Sequence, residues 1–442
     1  MLVHGGFGAP SLSRVYADVG RADAAAIPRV GYPPALARAL ACIVRVRGSD
    51  MLVTSAAASL ARPMRSSASE RSTRGMGAFE GRRARGRVIS RAVSTTPRKA
   101  SEIDWNSIGF GLTPTSHMFL ATCDLGGEWS EGEIVPYGDL SLSPAAAVLN
   151  YGQGVFEGMK AFRTVNDELL VFRPEENAAR CEEGAGRMSM PPVPRDLFQR
   201  AVMKTVGANA DYVPPVGLGS LYLRPLLIGT GAILGLGPAP SYTFVVYCSP
   251  VASYFKGGQL TPIKLTVEET YHRAAPGGSG STKCIGNYSP VLKVQLEAKR
   301  VGFSDVVYLD AKENKYIEEV SSCNFFCVKG KTISTPALQG TILPGITRKS
   351  ICELAAARGF TVEERNVSIE EVMQADECFC TGTAVVVAPV GSVTYKGKTA
   401  TFSEGKVGPV SQAMYDELTG IQQGRLPDPR GWNAIVPKEY YL

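Results

Sequence analysis

Apolar and polar positions along the chain repeat with two periods. Short apolar runs, several of them alternating at every second residue, fall at 119–123, 169–174, 220–228, 242–248, 305–310, 316–328, 377–380 and 385–389, and each predicts a strand. Three stretches follow the helical period instead: 175–187, 289–301 and 347–358, the last closed by Gly359. In the middle one Ser289 is expected to cap and Pro290 to take the first helical position. Val291, Val294, Ala298 and Val301 then form a buried stripe before Gly302. A short helix is expected around 143–149, and Ser368 with Glu371 makes a capping box for another. Strands interleaved with helices predict a mixed α/β chain.

Periodicity also says which side chains share a face. Tyr222 and Arg224, two apart in a strand, present a phenol and a guanidinium together. Asn177, Arg180 and Gly184 share one side of their helix. Glu318 and Glu319 interrupt an apolar strand. Either one faces inward, where a carboxylate needs a cationic partner or strong hydrogen bonds, or both sit on a solvent edge. Cys378 and Cys380, two apart, are expected on opposite faces of their strand.

Charge alters this reading at the N-terminus. Residues 1–100 carry 17 Lys+Arg against 5 Asp+Glu, and the rest of the 442-residue chain carries 30 against 36. The overall charge of +6 therefore belongs to the leader and is no argument for nucleic acid binding. Rich in Arg, Ser and Ala and poor in acids, 1–100 has the composition of an organelle transit peptide, plastid rather than mitochondrial by its Ser/Ala bias. Met51 opens a segment that itself resembles a transit-peptide start, so either Met1 or Met51 is the expected first residue. No apolar run is long enough to predict a membrane span. The ten cysteines lack a CxxC pair, which suits reduced thiols, and three histidines, one of them in the leader, rule out a multi-histidine metal site.

The stretch with most chemistry is 277–288, a glycine-rich approach to Lys283 with Tyr288 five residues on. Most lysines are solvated. One held between a loop and a packed helix is partly desolvated, and its neutral amine becomes a nucleophile. A phosphate loop is excluded, because Thr282 and Cys284 stand where that motif needs Gly and Ser or Thr. The helix opening near Ile346 and Thr347 and the small-residue bend at Thr381-Gly382-Thr383-Ala384 are both candidate anion sites. A reactive lysine, an inward carboxylate, an arginine and two anion sites together suit pyridoxal phosphate.

At this point the chain resembles the branched-chain amino-acid aminotransferases of pyridoxal-phosphate fold type IV. The likeness runs over about 104–437. It rests on Phe156-Glu157-Gly158-Met159-Lys160-Ala161-Phe162, Tyr222-Leu223-Arg224-Pro225, Lys283 with Asn287-Tyr288, Glu319-Val320 with Asn324, Leu343-Pro344-Gly345-Ile346-Thr347-Arg348, and the Thr381 bend. The resemblance implies a small α/β domain over 101–252, a linker over 253–260, and a larger cofactor domain with a barrel-like β core over 261–442. It implies that Lys283 bonds the cofactor and moves the proton, that Tyr288 meets its phenolic oxygen, and that Glu319 keeps its ring nitrogen protonated. Arg180, the Ile346 and Thr347 amides and Thr383 would hold the phosphate, and Ser322 would also contact the cofactor. Tyr151, Arg224, Ser322 and Ala384 would receive the substrate carboxylate, with Phe156, Tyr222 and Tyr254 walling the side-chain pocket. The 229–240 loop would reach the partner of a homodimer. Val385-Val386-Val387-Ala388 stands where some animal relatives carry a redox CxxC, so thiol switching there is not expected. The implied reaction moves the amino group of leucine, isoleucine or valine to 2-oxoglutarate. The alternatives are a D-amino-acid aminotransferase, an aminodeoxychorismate lyase, or an aminotransferase preferring methionine-derived 2-oxo acids.

Overall fold

The computed structural model describes residues 96–255 and 259–442. The transit-peptide expectation lies outside the described residues as far as residue 95. In the first half the period-two runs become β1 (His117–Asp124), β2 (Glu133–Pro136), β3 (Gly154–Phe156), β4 (Met159–Arg163), β5 (Leu169–Phe172), β6 (Ser220–Gly229) and β7 (Ser241–Val251). They pair antiparallel in the order β5-β4-β6-β7-β1-β2, with β3 alongside β6. Three helices belong to this half: α1 (Ala147–Tyr151), α2 (Pro174–Arg187) and α3 (Arg195–Gly207). Leu197, Phe198 and Val202 of α3 bury against Phe119, Tyr242 and Phe244 of the sheet.

Between β7 and β8 (Ile263–Glu268) the chain passes to a second sheet, built from β9 (Asp305–Leu309), β10 (Ile317–Val320), β11 (Asn324–Lys329), β12 (Thr332–Thr335), β13 (Thr361–Glu364), β14 (Glu377–Gly382), β15 (Val386–Tyr395) and β16 (Lys398–Thr401). The neighbours run β10-β9-β8-β15-β14-β11, and β11 pairs β10 again, so these strands close into a barrel that bears out the expected β core. Helices α4 (Val291–Arg300), α5 (Ile346–Ala357), α6 (Ile369–Val372) and α7 (Pro409–Gln422) complete this half, and β17 (Asn433–Ile435) returns to pair with β5 of the first sheet. Phe326 and Phe379 stack at 4.9 Å and pack with Ile351, Leu354, Met414 and Leu418 of α5 and α7.

Several local expectations change. Cys378 and Cys380 share one face, in a cluster with Phe325 and Val390, because residues two apart in a strand point the same way. Ser289 contributes only its carbonyl at the start of α4, with no side-chain cap. Val301 falls just past α4 and is exposed, leaving Val291, Val294 and Ala298 as the buried stripe. Ser368 does accept from the Glu371 amide at 3.1 Å, but the Glu371 carboxylate turns to Arg365, so the box is half made. The nine described cysteines are free, and no described helix is long and apolar enough to cross a membrane.

Candidate active site

The glycine-rich approach to Lys283 is pinned at both ends. Thr341 O and Ala274 crowd Gly280 so closely that no Cβ fits there. The Asn287 amide donates to the Ser279 and Thr282 carbonyls at 2.7 and 2.8 Å, and the Ser279 hydroxyl donates to Asn287 Oδ1 at 2.8 Å. On the other side the Phe156 N–H donates to Lys283 O at 3.0 Å, tying the loop to β3. Lys283 is thus presented at one fixed place between the two sheets. Its Nζ lies 4.8 Å from the Phe156 ring centroid and donates to the Tyr288 hydroxyl at 3.3 Å. Burial, helped by Arg180 and Arg224 and opposed by Glu157 and Glu319, pulls the amine down to about 8. Burial also pushes the Tyr288 phenol well up, so it stays protonated and able to donate.

Both glutamates of β10 are buried, which removes the solvent-edge alternative. Glu319 pairs with Arg273 Nη1 at 2.7 Å and accepts from the Leu343 N–H at 3.0 Å and the Asn324 amide at 3.3 Å. Burial raises its carboxyl to about 7, with Arg273 and the Leu343 amide pulling the other way. A second buried pair lies nearby. Arg180 donates through Nε and Nη2 to the two oxygens of Glu157, at 2.9 and 2.6 Å, and through Nη1 to Pro344 O at 2.9 Å. Asn177, on the same side of α2 as expected, donates to Glu157 at 2.8 Å.

Helix α5 starts with no side-chain cap, and its first bond to a carbonyl four back is from Lys349 to Gly345. The Ile346 and Thr347 amides therefore lack a helical partner. Thr383, in the turn joining β14 to β15, donates to Gly158 O at 3.2 Å, and Lys160 Nζ donates to Ala384 O in the same turn at 2.8 Å. Ser322 is exposed in the tight β10–β11 turn, which packs on Gly382.

On the open side Arg224 stacks over Phe156 at 4.8 Å and donates to the Tyr222 hydroxyl at 3.3 Å, so the expected shared face is realised. Phe110 meets the rings of both Tyr222 and Tyr254 edge-on, at 5.6 and 6.0 Å. Tyr151 stands elsewhere: its hydroxyl donates to Leu234 O in the 229–240 loop, whose Leu234 and Leu236 are about nine-tenths exposed. The residues overlooked in the sequence are Arg273 and Phe110, while Glu157, Lys160 and Asn324 entered only as members of motifs, with no role assigned. Only Lys160 carried a signal, as a charge in the middle of an apolar strand.

In this group Arg180 is balanced by Glu157 and Arg273 by Glu319, while Lys283 and Arg224 have no carboxylate partner among the described ion pairs. Donor capacity is left over as well. Arg180 keeps two N–H groups beyond its three bonds, and Arg273 Nε and Arg224 Nε are buried with no acceptor. Surplus positive charge beside an aldehyde-reactive lysine and a buried carboxylate fits pyridoxal phosphate together with a substrate carboxylate. Fold and site thus define a pyridoxal-phosphate enzyme of the barrel type.

Comparison with known proteins narrows the class. Residues 154–393 match the family model for amino-transferase class IV. The chain is 55% identical over 348 residues, 78% of its length and 84% of the relative's, to branched-chain-amino-acid aminotransferase 3, chloroplastic, of Arabidopsis thaliana. It is 57% identical over 347 residues, 78% of its length and 85% of the relative's, to branched-chain amino acid aminotransferase 2, chloroplastic, of Humulus lupulus. Among solved structures, the Escherichia coli branched-chain amino acid aminotransferase aligns over 73% of this chain and all of its own, at 30% identity and a TM-score of 0.63. The chain belongs to the class IV aminotransferases, which depend on pyridoxal phosphate.

Proposed function

We propose that Lys283 carries the cofactor in an enzyme that reversibly moves the amino group of leucine, isoleucine or valine to 2-oxoglutarate. The similarity to plant branched-chain aminotransferases supports this reaction over the D-amino-acid and lyase alternatives. The single observation that carries the Lys283 assignment is the placement of its amine, donating to the Tyr288 hydroxyl at 3.3 Å beside the Phe156 ring and within the electrostatic reach of Glu319.

When bound, the cofactor supplies an aldehyde carbon for the amino group and a ring that accepts electrons. Lys283 Nζ takes the proton from the substrate Cα and returns it. Glu319, held by Arg273, keeps a proton on the ring nitrogen. Tyr288 donates to the ring's phenolic oxygen. Arg180, the Ile346 and Thr347 amides and Thr383 hold the phosphate. For Thr383 this requires its hydroxyl to leave Gly158 O. Arg224, Ser322 and Ala384 take the α-carboxylate, and Phe156, Tyr222 and Tyr254 wall the side chain. Rings with polar tips accept an apolar chain and glutamate's second carboxylate in turn. One methylene is worth only about 1–3 kcal/mol, so discrimination among the three branched substrates is weak.

Three further readings go with this. The sheets form separate domains joined by 253–260. The chain works as a homodimer, with Tyr151 and the exposed Leu234 and Leu236 loop turned to the partner subunit. The basic leader and the chloroplastic relatives place the enzyme in the chloroplast. Transfer from leucine to 2-oxoglutarate by purified protein, with and without Lys283→Ala, tests the assignment. Turnover should fall by about 10³-fold or more, and an active Lys283→Ala would end the proposal.

A further inference from the structure

Lys160 lies outside every role given above. It is 8% exposed, the one lysine among the described residues that is buried to that degree, and it has no carboxylate partner in any described ion pair. Removing an ammonium from water is costly unless something in the fold uses it. Its backbone is in β4, directly opposite Tyr222 of β6. Opposed residues of an antiparallel pair point to the same side, so Lys160 shares a face with Tyr222 and Arg224. From there it crosses to the other sheet and donates to Ala384 O at 2.8 Å.

The turn it reaches is under strain. Val386, immediately after it, has a φ of 60°, which a β-branched residue rarely adopts. Such a conformation persists only where its surroundings impose it. Two bonds reach the turn from the 158–160 segment, Thr383 Oγ1 to Gly158 O at 3.2 Å and Lys160 to Ala384 O, and only the Lys160 bond remains once Thr383 turns to the phosphate. The Lys160 end adjoins a small polar cavity of about 30 Å³ lined by Ser220, Tyr254 and Gln422.

We propose that Lys160 is a positioning residue for substrate binding: it pins the strained Thr383–Ala384 turn from the opposite sheet and supplies a fixed positive charge behind it, so that the turn takes the α-carboxylate shared by every amino-acid and 2-oxo-acid substrate. The inference rests on the carboxylate reading of Ala384 given above. Burial draws the Lys160 amine down to about 8, so burial works against the charge, and a carboxylate arriving at the turn would favour it.

The test uses holoenzyme with Lys160→Met, Lys160→Gln and Lys160→Arg. It reads KM for leucine and for 2-oxoglutarate, kcat, cofactor absorbance, and reaction with 3-methylbutylamine, which has the leucine side chain and no carboxylate. Lys160→Met should raise both KM values by about tenfold, while kcat and absorbance change little. Lys160→Gln, which can still donate to Ala384 O, should fall between Met and wild type, and Lys160→Arg should restore KM. Reaction with the amine should be unaffected. Wild-type KM values in both Met and Gln variants would overturn the proposal, as would equal losses toward leucine and the amine. If Lys160→Met does not fold, the Gln and Arg variants decide by the same readouts. A wild-type enzyme that does not transaminate leucine would instead defeat the functional reading itself.

Discussion

The floor of the site and its mouth are built on opposite principles. On the floor two compensated pairs surround the Lys283 amine: Glu319 faces Arg273, and Glu157 accepts from Nε and Nη2 of Arg180. At the mouth the cation Arg224 has only rings and a phenol around it, and the aromatic wall is loose enough that Phe110 and Tyr254 are about half exposed. A floor of compensated pairs holds one geometry for a resident cofactor. An uncompensated, exposed mouth keeps its affinity for whichever carboxylate arrives next. The difference separates what must stay from what must exchange.

Breaking the floor should have the larger consequences. Glu319→Gln removes the carboxylate that keeps the ring nitrogen protonated, and kcat should fall by about 10²-fold or more with cofactor still bound. Steady-state kinetics with an absorbance check decide this, and an unchanged kcat would mean that Glu319 does no such work. Arg273→Met leaves Glu319 buried without its cation, which costs about 3 kcal/mol at neutral pH. Losing the partner raises the Glu319 carboxyl beyond its present value of about 7, further above its value in the unfolded chain. The folded form then binds more protons than the unfolded one, so the variant's deficit should shrink in acid and grow as pH rises. Urea midpoints at pH 5 and pH 8 measure this, and a pH-independent deficit would show that the pair is not electrostatic.

Changing the mouth should be milder. Arg224→Gln keeps hydrogen-bond donors and loses the charge, so KM for both substrates should rise by about tenfold while cofactor binding is untouched. If Arg224→Gln instead releases the cofactor, floor and mouth are not separable.

The floor was also the more legible region in the sequence. Lys283, Tyr288, Glu319, Arg180 and the α5 start all sit in local patterns: a glycine-rich loop, a charge in an apolar strand, a helix face, a helix opening. Arg273 does not: it lies in a stretch without periodicity, and only tertiary folding brings it under Glu319. Phe110 comes from an irregular segment and reaches Tyr222 across more than a hundred residues of chain. The face shared by Tyr222 and Arg224 could be read because a strand's period of two fixes it, and the same rule, misapplied, set Cys378 and Cys380 apart. The pairing of β10 with β11 is a tight local turn, Glu319 opposite Asn324, hidden inside the single run 316–328, whereas the long-range pairings of β8 with β15 and of β11 with β14 that complete the barrel left no trace in the hydrophobic pattern.

Among the described residues two lysines, Lys283 and Lys160, have amines drawn by burial to about 8, and Lys283 is the one placed to bond an aldehyde. Borohydride reduction of the yellow holoenzyme followed by peptide mass mapping distinguishes them directly. The pyridoxyl phosphate adduct should be found on Lys283 and on no other lysine. An adduct on Lys160, or a reduced enzyme with no modified lysine, would contradict the assignment of the site.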